Sequence, residues 1–353
     1  MGVALLTMNS FTAQNYFFNR QVIWILAGVL VFFISSRVNW HILKSSRVLV
    51  VLYLFSSFLL GLLFLAAPIR GAKSWLNFAG VSFQPSDFIK ILLILILAKY
   101  FSRRHIEIAH FQHILISGFY ALLPFVLVLL QPDFGSAIII FFIWLGMIMV
   151  SGVSKKHLLM VFLVGMIAFT YLWFQVFQPY QKARIVTFIH PLSDIRGSGY
   201  NVFQSQVAIG SGRVLGKGVG YGTQSRLEFL PEYQTDFIFA AIAEEWGFAG
   251  VSIIFFLYLM IVWRILATSM LGASNFEMLY GIGLAIFFIS HFVINVGMNI
   301  GLLPVTGIPL PLMSYGGSHI LAEFLGLGIL MGMRRYARGA HRDDMRNEFL
   351  GTT

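Results

Sequence analysis

Cysteine is absent from the 353 residues, so the chain can form no disulfide, bind no metal through thiolate and offer no thiol nucleophile. Charge is the second shortage. Only 11% of residues are charged, and Asp and Glu together number 14. So few charged groups cannot coat a water-soluble globule of this size. Apolar residues take their place: 58% of the chain is hydrophobic and the mean hydropathy is +0.82. They come in runs of about 18–22, the length that crosses a ~30 Å hydrocarbon core as a helix. The composition predicts an all-α polytopic membrane protein. The N-terminal "MGVALLTMNS" lacks a basic n-region and is too short to span. It reads as the outer half of an incomplete first helix, not as a cleavable signal peptide.

Lys and Arg exceed the acids by 24 to 14, a formal net charge of +10. In a soluble chain that excess would point to nucleic acid; here the positions of the charges argue against it. Full spans are expected at 21–36, 47–67, 85–101, 112–130, 135–153, 157–176, 237–265, 277–297 and 318–334. With the partial first one they make about ten transmembrane helices. Arg37, Lys44 and Arg47, then Arg103 and Arg104, then Lys155 and Lys156, then Arg264, and finally the tail from Arg334 flank these spans. They fall consistently on one side, which is therefore cytoplasmic, and the C-terminus lies there too. The opposite face holds 70–90, 131–135, 299–318 and a large extracytoplasmic loop, 177–236, between helices seven and eight. Each mixes Gly, Pro and aromatics with isolated polar residues. Irregular backbone at membrane level is tolerated only inside protein or along a wet cavity, so these segments predict one site on the outer face. No repeat or linker divides the chain, and 1–353 reads as a single domain.

"FLPEYQTDFIFAAIAEEWG" (229–247) concentrates four of the scarce acids. Asp236 stands at the mouth of a span, where it could cap the helix or do chemistry. Glu244 and Glu245 lie about 12–13 Å further along a continuous helix, near mid-membrane, and read as structural polar anchors. Ala240, Ala243 and Gly247 share one small-sided face, open to a neighbouring helix or a lipid tail. In the outer loop, Lys182, Arg184, Arg196, Arg213, Lys217 and Arg226 outweigh Asp194, Glu228 and Glu232. This is either an electropositive basin for an anionic substrate or an ordinary solvated loop. "AIGSGRVLGKGVGYGTQS" fails the Walker pattern, since Ser211 stands where the first Gly belongs and Gly218 follows Lys217. Its glycines could still cradle phosphate beside Lys217 and Arg213. Lys90 is expected to reach Asp236 or Asp133, with an intrahelical pair to Asp87 as the plainer alternative. Glu323 has no evident partner. No HxxxH or HExxH spacing occurs, and no transition-metal site is expected.

Taken together, "GAKSWLNFAGVSFQPSDFIK", "QPDFGSA", "GYNVFQSQVAIGSG", "GKGVGYGTQSRLEFLPEYQTDFIFAAIAEEWG" and "GIPLPLMSYGGS" resemble the SEDS family (shape, elongation, division and sporulation proteins), and its elongation branch in particular. The resemblance covers almost the whole chain. It implies a ten-helix, multi-pass protein of the bacterial inner membrane that polymerises lipid II into glycan strands. The essential acid would be Asp236 of "TDF", and the partner a class B penicillin-binding protein, a transpeptidase. Candidate substrate-binding residues on these motifs are Lys73, Trp75, Gln84, Ser86 and Lys90; Asp133; Arg184, Arg213, Lys217 and Gln224; Glu232 and Thr235; and Ser314, Tyr315, Gly316, Gly317 and Ser318. Three positions depart from the pattern: Gln234 where His commonly stands, Asp87 for a usual Glu, and His319 for a small residue. For such a substrate one base suffices, because a diphosphate leaves readily once its charge is neutralised. Asp236 is then the general base and undecaprenyl diphosphate the leaving group. Lys73, Arg184, Arg213 and Lys217, or a divalent cation (Mg²⁺ or Mn²⁺), would neutralise it. Membrane lipids surround the whole. The competing readings are a lipid II flippase and a non-catalytic scaffold for wall assembly.

Overall fold

Long runs of Leu, Ile, Val and Phe leave the backbone one way to satisfy its N–H and C=O groups in lipid, which is to form helices. The computed structural model describes residues 16–65, 74–78, 81–103, 111–190, 198–227 and 229–350, the last of these as backbone only from 337. In chain order the elements are α1 Tyr16–Arg37, α2 Ser46–Leu62, β1 Leu76–Phe78, β2 Val81–Phe83, α3 Pro85–Ser102, α4 Phe111–Leu130 and α5 Phe134–Val150. Then come α6 Lys155–Gln175, α7 Pro179–Ile189, α8 Ser198–Ser211, the single turn α9 Thr223–Arg226, α10 Ile238–Ser269, α11 Asn275–Asn299 and α12 Gly317–Leu350. Over their described residues the nine expected full spans coincide with helices, 237–265 with a break. The incomplete first helix and Lys73 lie outside the described residues. Among the described residues six helices, α1, α2, α4, α6, α10 and α11, are long and apolar enough to cross a bilayer.

Three differences from expectation have local causes. The 70–90 stretch contains a small antiparallel hairpin, with Leu76 opposite Phe83 and Phe78 opposite Val81. The 177–236 loop is largely helical: Gln178 and Gln181 form a reciprocal cap that starts α7 with Pro179 at its first turn. Past its apolar span, α12 continues as helix through the basic tail.

The chain packs as two compact units. The first comprises 1–24, 154–260 and 289–317. Its core joins Ile238, Phe239, Ile242, Ile254, Tyr258, Val296, Leu310 and Met313, with Ala208, Leu230, Tyr233, Phe237, Met298 and Val305 beside them. The Tyr258 hydroxyl donates to the Pro311 carbonyl, fixing 310–313 against α10. The second unit comprises 25–153, 261–288 and 318–353. Its centre is α3, buried on nearly every side from Pro85 to Ala98, as befits a helix apolar all round. Side chains tie its neighbours together: Gln131 Nε2 donates to the Leu60 carbonyl at 2.6 Å, and the Tyr53 hydroxyl to the Tyr120 carbonyl at 2.6 Å.

Candidate active site

In the first unit the site is built on one strained residue. Glu232 has a positive φ of 53°, a left-handed backbone that costs a non-glycine residue roughly 1–2 kcal/mol. Its carbonyl thereby meets the N–H groups of Thr235, Asp236 and Phe237 at 3.1, 3.1 and 3.2 Å. Its carboxylate also accepts the Thr235 hydroxyl at 3.2 Å. The turn delivers Asp236, half-buried, just before α10 begins. Neither Thr235 nor Asp236 is the cap of the Ala240 N–H. That N–H donates to Asn299 Oδ1 at 3.2 Å, a cap supplied by α11.

Segment 306–315 closes over the turn. Ser314 Oγ donates to the Thr235 carbonyl at 2.5 Å, and the Tyr315 N–H to the Gln234 carbonyl at 2.8 Å. Gln21 Nε2 holds the Ser314 carbonyl at 3.0 Å, and Phe17 meets the Tyr315 ring edge-on at 5.1 Å. Gly307 has a φ of 74°, and a Cβ there would sit 3.5 Å from Asp236 Oδ2, so this backbone passes directly beside the acid. Gly317 is packed against the Trp24 indole, and Gly316 is half-buried next to it. Asp236, Thr235, Glu232, Ser314 and Tyr315 thus form one cluster.

Two turns into α10 the helix breaks at Gly247 (φ 64°, ψ −164°). A break frees carbonyls above it and N–H groups below it. The glycine-rich segment repairs both: Lys217 and Gly218 N–H donate to the Glu244 and Glu245 carbonyls at 3.0 Å each. Phe248 and Ala249 N–H donate to the Arg213 and Val214 carbonyls at 2.8 and 2.9 Å. The Glu244 carboxylate, fully buried, accepts Lys217 Nζ at 2.8 Å, the Gln224 N–H at 3.0 Å and the Ser225 hydroxyl at 3.2 Å. The Glu245 carboxylate takes the Gly220 N–H at 2.6 Å.

The break corrects two expectations. The small-sided face Ala240–Gly247 is no lipid groove, because Gly212 packs on Ala243 and Val214–Gly216 on Gly247. Nor does α10 run straight from Asp236. Phe248–Ser269 alone is about 33 Å long at ~1.5 Å per residue and suffices to span, so the mid-membrane depth assigned to Glu244 and Glu245 does not follow. The loop's basic residues part company. Lys217 is committed to Glu244, and Arg213 is exposed at a positive φ of 50°. Arg184 lines a cleft with Thr187, Val202, Gln206 and Leu303.

In the second unit Asp133 caps α5 through the Ser136 N–H at 3.0 Å and accepts Gln84 Nε2 at 3.0 Å. Ser86 meets Ser136 at 3.5 Å, Ser318 is buried and Trp75 half-buried. Lys90 ends on Asp87 at 3.1 Å, the intrahelical alternative, and not on Asp133. A dry interior favours the nearest carboxylate, one turn away on the same helix face. His319 extends the pair, with Nδ1 3.4 Å from Asp87 and Nε2 2.9 Å from Glu323. Glu323 therefore has its partner. The ring thus lies between two buried carboxylates, one at each nitrogen. His319→Ala should cost about 3–5 kcal/mol, because it strands a buried acid. His319→Leu with Glu323→Leu should recover most of it. Thermal unfolding of the detergent-solubilised variants measures the difference.

Sequence reasoning passed over Asn295, Asn299, Gln21 and Gly307. The signal was present in "HFVINVGMNIG": two asparagines four residues apart in an apolar span share one helix face.

These features define a polytopic helical membrane protein with a half-buried carboxylate held at the start of a broken helix. The FtsW/RodA/SpoVE model, described as a cell cycle protein, matches residues 3–339, and the chain belongs to that family. It is 39% identical to peptidoglycan glycosyltransferase MrdB of Escherichia coli over 270 residues, 76% of this chain and 72% of the relative. It is 34% identical to the stage V sporulation protein E of Bacillus subtilis, covering 93% and 89%. Among solved structures it superposes on a chain from work on polymerization and crosslinking by a peptidoglycan synthase complex. There the TM-score is 0.78 and the identity 28%, over 95% of this chain and 96% of that one. For the rod shape determining protein RodA of Thermus thermophilus the TM-score is 0.70 and the identity 27%, over 95% and 92%.

Proposed function

We propose that this chain is a peptidoglycan glycosyltransferase that polymerises lipid II into glycan strands during cell elongation, with Asp236 as general base. Relatives bearing that activity in their names, matched over most of both chains, support the reaction class. The likeness to a rod shape determining protein supports elongation. The observation that carries the reading is the acid itself. Asp236 is half-exposed, held by its backbone, and faced by the 306–315 segment.

The acceptor sugar hydroxyl gives its proton to the Asp236 carboxylate while its oxygen bonds to the donor's anomeric carbon. The anomeric C–O bond to the lipid diphosphate breaks, and undecaprenyl diphosphate leaves with the electron pair. General-base assistance of this kind is worth ~10²–10⁴-fold. Arg184 and Arg213 remain candidates for the diphosphate, whereas Lys217 already serves Glu244. Among the described residues no group of three or more His, Asp or Glu is placed to hold a metal ion. The ten-helix topology, the outer-face site, the cytoplasmic C-terminus and the single-domain organisation belong to the same reading. So does the transpeptidase partner, a class B penicillin-binding protein, supported by the crosslinking named for the synthase complex.

One observation favours a lipid II flippase instead: Lys90, Asp87, His319 and Glu323 form a buried ionisable chain of the kind transporters use. Purified protein in lipid II-loaded liposomes separates the two. Glycan strands formed without any partner's glycosyltransferase domain support the enzyme; lipid scrambling with no strands would refute it.

A further inference from the structure

Asn295 and Asn299 are fully buried on α11, where an unsatisfied amide would cost several kcal/mol in lipid or dry protein. Each sends its Nδ2 to the same acceptor, the backbone carbonyl of Asp236, at 3.0 Å. Asn295 Nδ2 also donates to the Ile308 carbonyl at 2.8 Å, so a single amide joins Asp236 to the segment that passes beside its carboxylate. Asn299 completes the frame. Its Oδ1 caps the Ala240 N–H, and its Nδ2 donates to the Asn295 carbonyl at 2.9 Å. Ser205 Oγ of α8 donates to the Asn299 carbonyl at 2.8 Å.

We propose that Asn295 and Asn299 are positioning residues, a clamp that sets the place of Asp236 through its backbone carbonyl and its distance from segment 306–310. The inference rests on the reading of Asp236 as the base and adds to it how that base is aimed. Capping the Ala240 N–H needs only the Asn299 Oδ1 acceptor. Two donors converging on the Asp236 carbonyl, one of them shared with Ile308, do more: they fix the acid against the wall it faces. A misplacement of about 1 Å is enough to cost roughly 10²-fold in rate.

Asn299→Asp keeps the size and the Oδ1 acceptor for Ala240 but loses the donation to Asp236. Asn295→Ala leaves that acceptor untouched and cuts the tie to Ile308, so it keeps the test open should the buried charge of the first variant prevent folding. Ser117→Ala, which removes a buried hydroxyl serving Trp144 Nε1 in the second unit, is the stability control. Purified full-length variants are assayed for lipid II polymerisation, with kcat and KM separated and folded fraction measured by monodisperse elution. The clamp predicts kcat lowered ~10²-fold in Asn299→Asp and ~10-fold in Asn295→Ala, with KM within ~3-fold, while Ser117→Ala keeps wild-type turnover per folded molecule. Wild-type kcat in folded Asn variants, or losses that merely follow the folded fraction, would overturn it. Asp236→Asn is run alongside. If it stays active, the base reading falls and the clamp with it; if it is dead while the Asn variants turn over normally, only the clamp falls.

Discussion

Asp236→Asn should reduce lipid II polymerisation by at least ~10²–10⁴-fold while leaving membrane insertion and folding intact. The substitution is isosteric, and the backbone of the residue is held on both sides. The Glu232 carbonyl accepts its N–H, and Asn295 and Asn299 donate to its carbonyl. None of these contacts involves the carboxylate. The residue is half-buried, and the amide keeps the shape of the carboxylate. The loss expected is that of the proton acceptor. Asp236→Glu makes the complementary test: the basicity is kept, but the carboxylate is displaced by one methylene. Its activity should fall ~10²-fold, above the amide variant and well below wild type. Strand formation is followed by gel with purified protein and lipid II, and folding by monodisperse elution. Undiminished strand formation by Asp236→Asn would remove Asp236 from the chemistry.

The helices were legible because lipid forces one solution on an apolar run, and each full span expected from hydropathy is helical within a few residues apart from the longer ends of α10 and α12. The position of Asp236 just before a helix was legible because acids are scarce in so apolar a chain, while its proposed role came from the "TDF" resemblance. The partner of each remaining charge was not. Lys217 looked available to phosphate, yet it reaches Glu244, 27 residues on, only because Gly247 breaks the helix. His319 looked like a lone departure and Glu323 like a stray acid; their spacing of four places both on one face, where the ring bridges Glu323 and Asp87. Hydropathy measures how apolar a segment is, not which polar atoms meet across the core. For that reason the asparagine pair on α11, plain in the letters, acquired a role only once the Asp236 carbonyl was located.

The largest stability effects should come from the break itself. Gly247→Ala should prevent the protein from accumulating. With φ 64° and ψ −164°, Gly247 occupies a region open essentially to glycine alone. A Cβ there would overlap the Gly216 nitrogen and come within 2.7 Å of the Val214 carbonyl oxygen. Those are backbone atoms with no side-chain freedom to retreat, so segment 213–218 must leave. Its departure forfeits four backbone hydrogen bonds, at about 0.5–1.5 kcal/mol each when both partners can be resatisfied and more when they stay buried. It also strips Glu244 of Lys217, leaving a buried carboxylate without its cation at about 3–5 kcal/mol. The sum equals much of the ~5–15 kcal/mol by which proteins are stable. Gly216→Ala approaches the same contact from the other side, since φ is 79° and a Cβ would lie 2.6 Å from the Trp246 nitrogen. Gly165→Ala, within α6 and with nothing inside 4 Å of the added carbon, should be neutral or gain about 0.5–1 kcal/mol. Yield from membranes and melting temperature compare the three. Wild-type yield and melting for Gly247→Ala would mean that 213–218 does not hold the two halves of α10 together.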